Sequence, residues 1–263
     1  MAHKPTVAVY KFSSCDGCQL TLLNMEDELL DLAGAIDIAM FLEATRAEKP
    51  GPYDISIVEG SVTTPHEAER IKEIREQSKI LIALGTCATT GGIQALRNFA
   101  DADEYANTVY AHPEYLHYLK TSKPMSEYVH VDYELSGCPV NKAQVIEVIV
   151  ALLNNRRPNL PAYPVCMECK RRGTVCVLVA HGVPCLGPGT LAGCGAICPA
   201  NGRGCYGCFG PTKEPNVNSL THILTGIERY PGEATRLYRG FSGFAPAFRK
   251  ATDSILQGGR EKK

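Results

Sequence analysis

The sequence has no excess charge of either sign: 27 lysines and arginines stand against 28 aspartates and glutamates, for a formal net charge of −1. A chain so balanced offers no overall basic surface, which argues against nucleic acid as a partner. It also lacks a long hydrophobic run. The best candidate, VIEVIVALL at 145–153, is short and contains Glu147, whereas a membrane helix takes about 18 or more apolar residues. A soluble chain with no membrane partner is expected. The opening stretch, MAHKPTVAVYKFSSCDGC, has neither the apolar region of a leader nor a twin-arginine pair. The expected location is therefore the cytoplasm, unless a partner subunit carries a targeting signal for both.

Nucleotide fingerprints are missing as well. No G-x-G-x-x-G follows the first strand-like segment, where the loop reads SSCDGC, and glycine-rich GPGTLAGCG at 187–195 lacks the GK[ST] ending of a phosphate loop. There is no internal repeat and no low-complexity tract.

What the sequence holds in quantity is cysteine. Of twelve, eight fall within residues 166–208, among glycines and prolines. In a reducing compartment, thiols at metal-ligand spacing are more often ligands than disulfides. Disulfides, structural zinc and iron–sulfur clusters are the three readings to separate.

The periodicity divides the chain in two. In the first part, TVAVYKF (6–12), IDIAMFL (36–42), YDISIVEGSV (53–62), KILIALG (79–85) and YVHVDYEL (128–135) read as strands. QLTLLNMEDELLDLA (19–33), HEAERIKEIREQS (66–78) and NKAQVIEVIVALLN (141–154) read as helices. Strand and helix in alternation predict an α/β fold with a parallel sheet covered on both faces. Residues 101–127 are irregular and rich in tyrosine and histidine, and RRPNLPAYP (156–164) reads as a boundary. The domains expected are 1–157 and 158–263. In the second, 165–215 is so rich in Gly, Pro and Cys that bound metal is expected to organise the backbone in place of a conventional core. NSLTHILTGIERY (218–230) and APAFRKATDSILQ (245–257) then read as helices, and GGREKK as a frayed tail.

Ligands of an open parallel sheet collect in loops at the carboxyl ends of its strands, and the four early cysteines sit in such loops. Cys15 and Cys18 follow the first strand in SSCDGCQ, Cys87 follows KILIALG in GTCATTGG, and Cys138 follows YVHVDYEL in SGCPV. Four thiolates fit either tetrahedral zinc or a four-iron cluster. Proline after Cys138 and Cys198, glycine beside nearly every thiol, and the eight-residue gaps from Cys176 to Cys185 to Cys194 tilt the reading toward clusters without excluding zinc. Twelve cysteines divide into three sets of four with none left over.

CDGCQ, LGTCATTGG, SGCPV, PCLGPGTLAGC and CPANGRGCYGC, in that order, resemble the small, electron-transfer subunit of nickel–iron hydrogenases, from about residue 6 to 211. The resemblance implies a flavodoxin-like first domain followed by an irregular cysteine-rich iron–sulfur domain. It implies three 4Fe–4S clusters: proximal on Cys15, Cys18, Cys87 and Cys138; distal on Cys166, Cys169, Cys176 and Cys185; medial on Cys194, Cys198, Cys205 and Cys208. Well-known periplasmic members have a histidine where this chain has Cys166, and a proline beside a three-iron medial cluster where it has Cys198; the extra thiolate implies a four-iron medial cluster. All-cysteine ligation and size resemble the cytoplasmic group, nearest the NADP-linked hydrogenases, also called sulfhydrogenases, with deazaflavin- and heterodisulfide-linked enzymes as relatives. The partners implied are a large subunit with the nickel–iron centre and ferredoxin-like and flavin/nicotinamide-binding subunits holding FAD and NAD(P). The related small subunit of respiratory complex I keeps the proximal-type cysteines without the 166–208 extension.

Beside the cysteines, Glu59 at a strand end is a candidate for proton movement or, equally, a carboxylate that orders a loop. Lys170, Arg171 and Arg172 read as solvated charges before they read as a docking patch. His181 reads as a structural or supporting residue, since the count of cysteines leaves no ligand position for it. A zinc-stapled, redox-silent scaffold is the contrasting function.

Overall fold

The computed structural model describes residues 4–260; the first three residues of the stretch read for a leader, and the last three of the expected tail, lie outside the described residues. The chain divides into two compact units between Pro158 and Asn159.

The first unit is built on five parallel strands: β1 (Thr6–Lys11), β2 (Asp37–Phe41), β3 (Tyr53–Glu59), β4 (Ser78–Leu84) and β5 (Tyr133–Leu135), in the order β2-β1-β3-β4-β5. This is the flavodoxin-like order, with ligand loops expected at the carboxyl edge. Val7–Tyr10 of β1 and Ile55 and Ser56–Glu59 of β3 are buried, as continuous burial on both sheet faces requires. Ser56, one of two buried polar residues in β3 with Glu59, is satisfied by Ser78 across the strand pair at 2.6 Å. The register aligns Lys11 with Glu59, Glu59 with Leu84, and Leu84 with Leu135. One row across the sheet thus launches the loops after β1, β4 and β5.

The helices are α1 (Gly17–Leu23), α2 (Asp27–Ala35), α3 (Pro65–Glu76), α4 (Gly85–Thr90), α5 (Ala102–Val109) and α6 (Lys142–Leu153). Helix α3 starts where TTPHE dictates. Thr64 caps the Glu67 amide, the Glu67 carboxylate reaches back to the Thr64 amide, and Pro65 occupies the first turn.

Two expectations need correcting here. The helix read over 19–33 is two helices, because the chain turns at 24–26, with Glu26 at φ 52°. The strand read over 128–135 shrinks to its last three residues. Tyr128, Val129 and Val131 pack on the core without joining the ladder, and the Asp132 carboxylate takes the Leu81 amide.

The second unit holds α7 (Val165–Arg171), α8 (Val177–His181), α9 (Ile197–Ala200), α10 (Val217–Gly226), α11 (Glu233–Tyr238) and α12 (Pro246–Arg260). Its conventional core is built almost wholly from residues beyond 165–215, the segment expected to lack one. Leu186, Val217, Leu220, Leu224, Tyr238 and Phe248 form a buried cluster where α10, α11 and α12 come together. The cysteine segment has a smaller one of its own: Val165, Val177, Cys185, Ala196 and Cys205. Helix α10 ends four residues before the expected limit, α11 was not expected, and Gly258–Arg260, read as tail, continue α12. Among the described residues no helix is long and apolar enough to cross a membrane.

Candidate functional site

No disulfide joins any of the twelve cysteines.

In the first unit, the β1 loop turns at Asp16 (φ 65°) into α1, leaving Cys15 exposed and Cys18 buried. Beneath them lies Glu59, only 2% exposed. It accepts from the Cys18 amide at 3.3 Å and from the Gln19 side chain at 2.8 Å, and burial pushes its carboxyl above the usual carboxylate range. Cys87 lies on α4, directly after β4. Its Sγ donates to Gln94 Oε1 at 3.4 Å, and Gln94 Nε2 donates to the Ser13 carbonyl at 2.7 Å, joining the Cys87 segment to the β1 loop. Cys138 follows β5 and precedes a cis proline. Thr86 donates its amide to the Gly137 carbonyl (2.9 Å) and takes the Gly137 amide on its hydroxyl (3.2 Å), which joins the Cys87 and Cys138 segments.

The four thiols act on one another. Burial pushes Cys18 up to about 12, with Glu59, Cys87 and Cys138 adding to the effect. Burial pushes Cys87 up to about 11, with Cys138 and Cys15 adding, and it raises Cys138, where Cys15 again adds. The Gln94 and Thr86 bonds hold these three loops, distant in sequence, together at the carboxyl edge of the sheet. The surrounding glycines leave space for the sulfurs. A Cβ on Gly85 would collide with Cys18 Sγ, and one on Gly92 would lie 2.6 Å from Cys87 Sγ; both glycines have positive φ.

In the second unit, Cys166 and Cys169 stand three apart on α7, hence on one helix face. Cys176 caps α8, and Cys185 lies in the segment that follows. These four line one cavity of about 130 Å³, with Lys170 at its rim. Burial pushes Cys166 up to about 11, with contributions from Cys185, Cys169 and Cys176, and it raises Cys169 and Cys185 likewise. The chemistry of the donors fits a metal group. Crowded, buried thiols resist ionisation until positive charge arrives, and metal coordination deprotonates a thiol outright. Among the described residues, no group of three or more His, Cys, Asp or Glu is arranged to hold a single ion.

The last four cysteines are joined less fully. Cys194 is raised by burial, with Cys198 at the start of α9 adding; Cys205 is raised by burial, with Cys185 and Cys208 adding. The Cys205 amide donates to Cys185 Sγ at 3.1 Å, and the Leu186 amide to the Cys205 carbonyl at 3.0 Å.

Of the charged candidates, Lys170 borders the four-cysteine cavity. Arg171 donates to the Tyr163 hydroxyl at 2.6 Å and lies over its ring, and Arg172 donates to the Gly195 carbonyl at 2.7 Å. His181 ends α8 on the surface. Gln19, Thr86, Gln94 and Glu168 were not singled out from sequence. Each stands close to a cysteine in the chain, yet a lone polar residue in a cysteine loop has no spacing that distinguishes it.

Residues 15–152 match the family described as NADH ubiquinone oxidoreductase, 20 Kd subunit. The chain is 38% identical to sulfhydrogenase 2 subunit delta of Pyrococcus furiosus, over 84% of this chain and 92% of that one. It is 35% identical to a subunit of the F420-non-reducing hydrogenase vhu of Methanocaldococcus jannaschii, over 79% of this chain and 82% of that one. Among solved structures it is similar to a chain of an NAD+-reducing [NiFe]-hydrogenase in the H2-reduced state, with TM-score 0.56 and 27% identity over 60% of this chain and 96% of that one.

Proposed function

The chain belongs to the NADH ubiquinone oxidoreductase 20 Kd subunit family, and on that premise we propose that it is the iron–sulfur subunit of a nickel–iron hydrogenase. It passes electrons between the nickel–iron site of a large subunit and flavin- and NAD(P)-binding partners, ferredoxin-like subunits included, and carries no nickel–iron site itself. The observation that carries this is that Cys166, Cys169, Cys176 and Cys185 all line one cavity of about 130 Å³, beside apolar Val177, Leu178 and Pro188. Four thiols around an open space suit a polynuclear group, where a single zinc ion would draw its ligands to a point.

On this reading the three sets of four cysteines named from the sequence each hold a 4Fe–4S cluster, and residues 1–157 and 158–263 are the two domains. A 4Fe–4S cluster, when bound, takes up and releases one electron at a time. The rest falls to the chain. Burial excludes water and lowers the local dielectric, the glycines admit the sulfurs, and Gln94 and Thr86 hold the three loops of the first unit in register. Glu59 anchors the Cys18 loop to β3. Thiols kept reduced support a cytoplasmic location.

The likeness to a chain of an NAD+-reducing [NiFe]-hydrogenase supports a nicotinamide as the final acceptor, which the resemblance to the cytoplasmic group makes NADP+, and a heterodisulfide-linked complex is the second reading. Both are tested on the complex purified with its partners, by comparing H2-dependent reduction of NADP+ and of a heterodisulfide. Cys87→Ala is expected to abolish reduction of either acceptor while hydrogen–deuterium exchange at the large subunit continues. Acceptor reduction at the wild-type rate in that variant would sink the relay.

A further inference from the structure

The segment that presents Cys194 is unusual in its backbone. Gly193, Gly195 and Ala196 all have positive φ, at 138°, 69° and 53°, and Ala196 is fully buried. A non-glycine residue held there is strained and persists only where its surroundings over-determine it. Those surroundings come from α7. Glu168, between Cys166 and Cys169, accepts the Gly193 amide on Oε1 at 2.9 Å and the Ala196 amide on Oε2 at 3.1 Å. The same Oε2 lies 3.9 Å from Cys194 Sγ. Arg172, at the end of α7, completes the grip by donating to the Gly195 carbonyl at 2.7 Å.

We propose that Glu168 is a positioning residue, with Arg172 as its counterpart, which holds the Cys194 loop in its strained form and sets the charge felt by the cluster that Cys194 ligates. The inference rests on the cluster reading above. The helix that carries two ligands of one set thereby grips a ligand loop of another, with a carboxylate on the Gly193 and Ala196 amides and a guanidinium on the Gly195 carbonyl. Reduction adds negative charge to a cluster, so the carboxylate disfavours the reduced form and the guanidinium favours it. The sign of each effect on potential follows.

The test uses the anaerobically purified complex with its partner subunits. It reads iron and acid-labile sulfide together with a redox titration followed by electron paramagnetic resonance. Glu168→Gln is expected to raise the midpoint potential of one cluster and leave the other two in place, and Arg172→Gln to lower the potential of that same cluster. Glu168→Ala, which removes both acceptors, is expected to lose iron to a chelator several times faster than wild type. Glu168→Asp, which keeps the charge, should return the potential toward wild type, and it serves as the reference if the Gln variant assembles poorly. Wild-type potentials in both Gln variants would overturn the inference, as would an Asp variant that behaves like the Gln variant. Wild-type protein without iron would instead overturn the cluster reading itself.

Discussion

The backbone amide of Cys205 donates to the sulfur of Cys185 at 3.1 Å. One of the cysteines lining the cavity is thereby tied through the main chain to a cysteine outside it, and the Leu186 amide returns a bond to the Cys205 carbonyl. Hydrogen bonds to ligand sulfur tune a cluster, and on the proposed assignment these bonds would also couple two of them.

That connection makes the two cysteines of one set unequal. Cys176→Ala, at an exposed ligand, is expected to remove about four irons, one cluster's worth. Cys185→Ala should remove more, because the Cys205 amide loses its acceptor in a buried place. Iron per chain in the two variants, measured side by side, checks this; equal losses would mean the sets assemble independently.

Gly85 has φ 85° and leaves no space for a Cβ against Cys18 Sγ. Gly85→Ala combines backbone strain with overpacking, and is expected to destabilise the first unit by about 2–4 kcal/mol. Chemical denaturation and iron content would show a lowered midpoint together with loss of the first-unit cluster. Gly173→Ala is a poor control because its φ is also positive, whereas Gly34→Ala, in open space on α2, should be nearly silent or stabilising.

Glu59 is expected to act by ordering the Cys18 loop. Glu59→Ala leaves the Cys18 amide and the Gln19 side chain without their acceptor, at a cost of about 1–3 kcal/mol. Glu59→Gln keeps one acceptor oxygen and should retain hydrogen turnover. A drop of roughly 100-fold or more in the Gln variant, with its clusters intact, would place Glu59 on a proton path instead.

Asp132 supplies the pH dependence. Burial opposes ionisation of its carboxyl, but the Leu81 amide and Arg75 outweigh that and hold it below the usual carboxylate range. A lowered folded-state pKa contributes stability that is present above the unfolded value, near 3.8, and is lost as pH falls through the folded one. Asp132→Asn should cost about 1–2 kcal/mol at neutral pH, and the gap to wild type should close as the pH is lowered below that range. Denaturation midpoints at pH 7 and near pH 3 measure the gap, and one that stays constant would contradict the assignment.

Much of this was legible in the residues. The apolar runs of β1 and β4 suit a sheet covered on both faces, and HEAERIKEIREQS reads as the helix that α3 proves to be. Cysteines placed directly after strands announced a site at the carboxyl edge. Local pattern failed where tertiary contacts decide. YVHVDYEL alternates like a strand, yet Asp132 uses its side chain on Leu81, so the ladder begins only at Tyr133. That Leu186 belongs to the core of the second unit was not legible, because it lies among glycines and cysteines, far in sequence from the α10 and α12 residues that bury it. Glu168 gave no signal at all, since what matters about it is the distant loop it grips.

The most direct test of the central claim is metal analysis of the complex purified without air, with iron, sulfide and zinc measured together and electron paramagnetic resonance recorded after reduction. The account predicts about twelve irons attributable to this chain and interacting four-iron signals. Stoichiometric zinc, with no iron and no visible absorption, would contradict it and leave a metal-stapled scaffold in place of an electron relay.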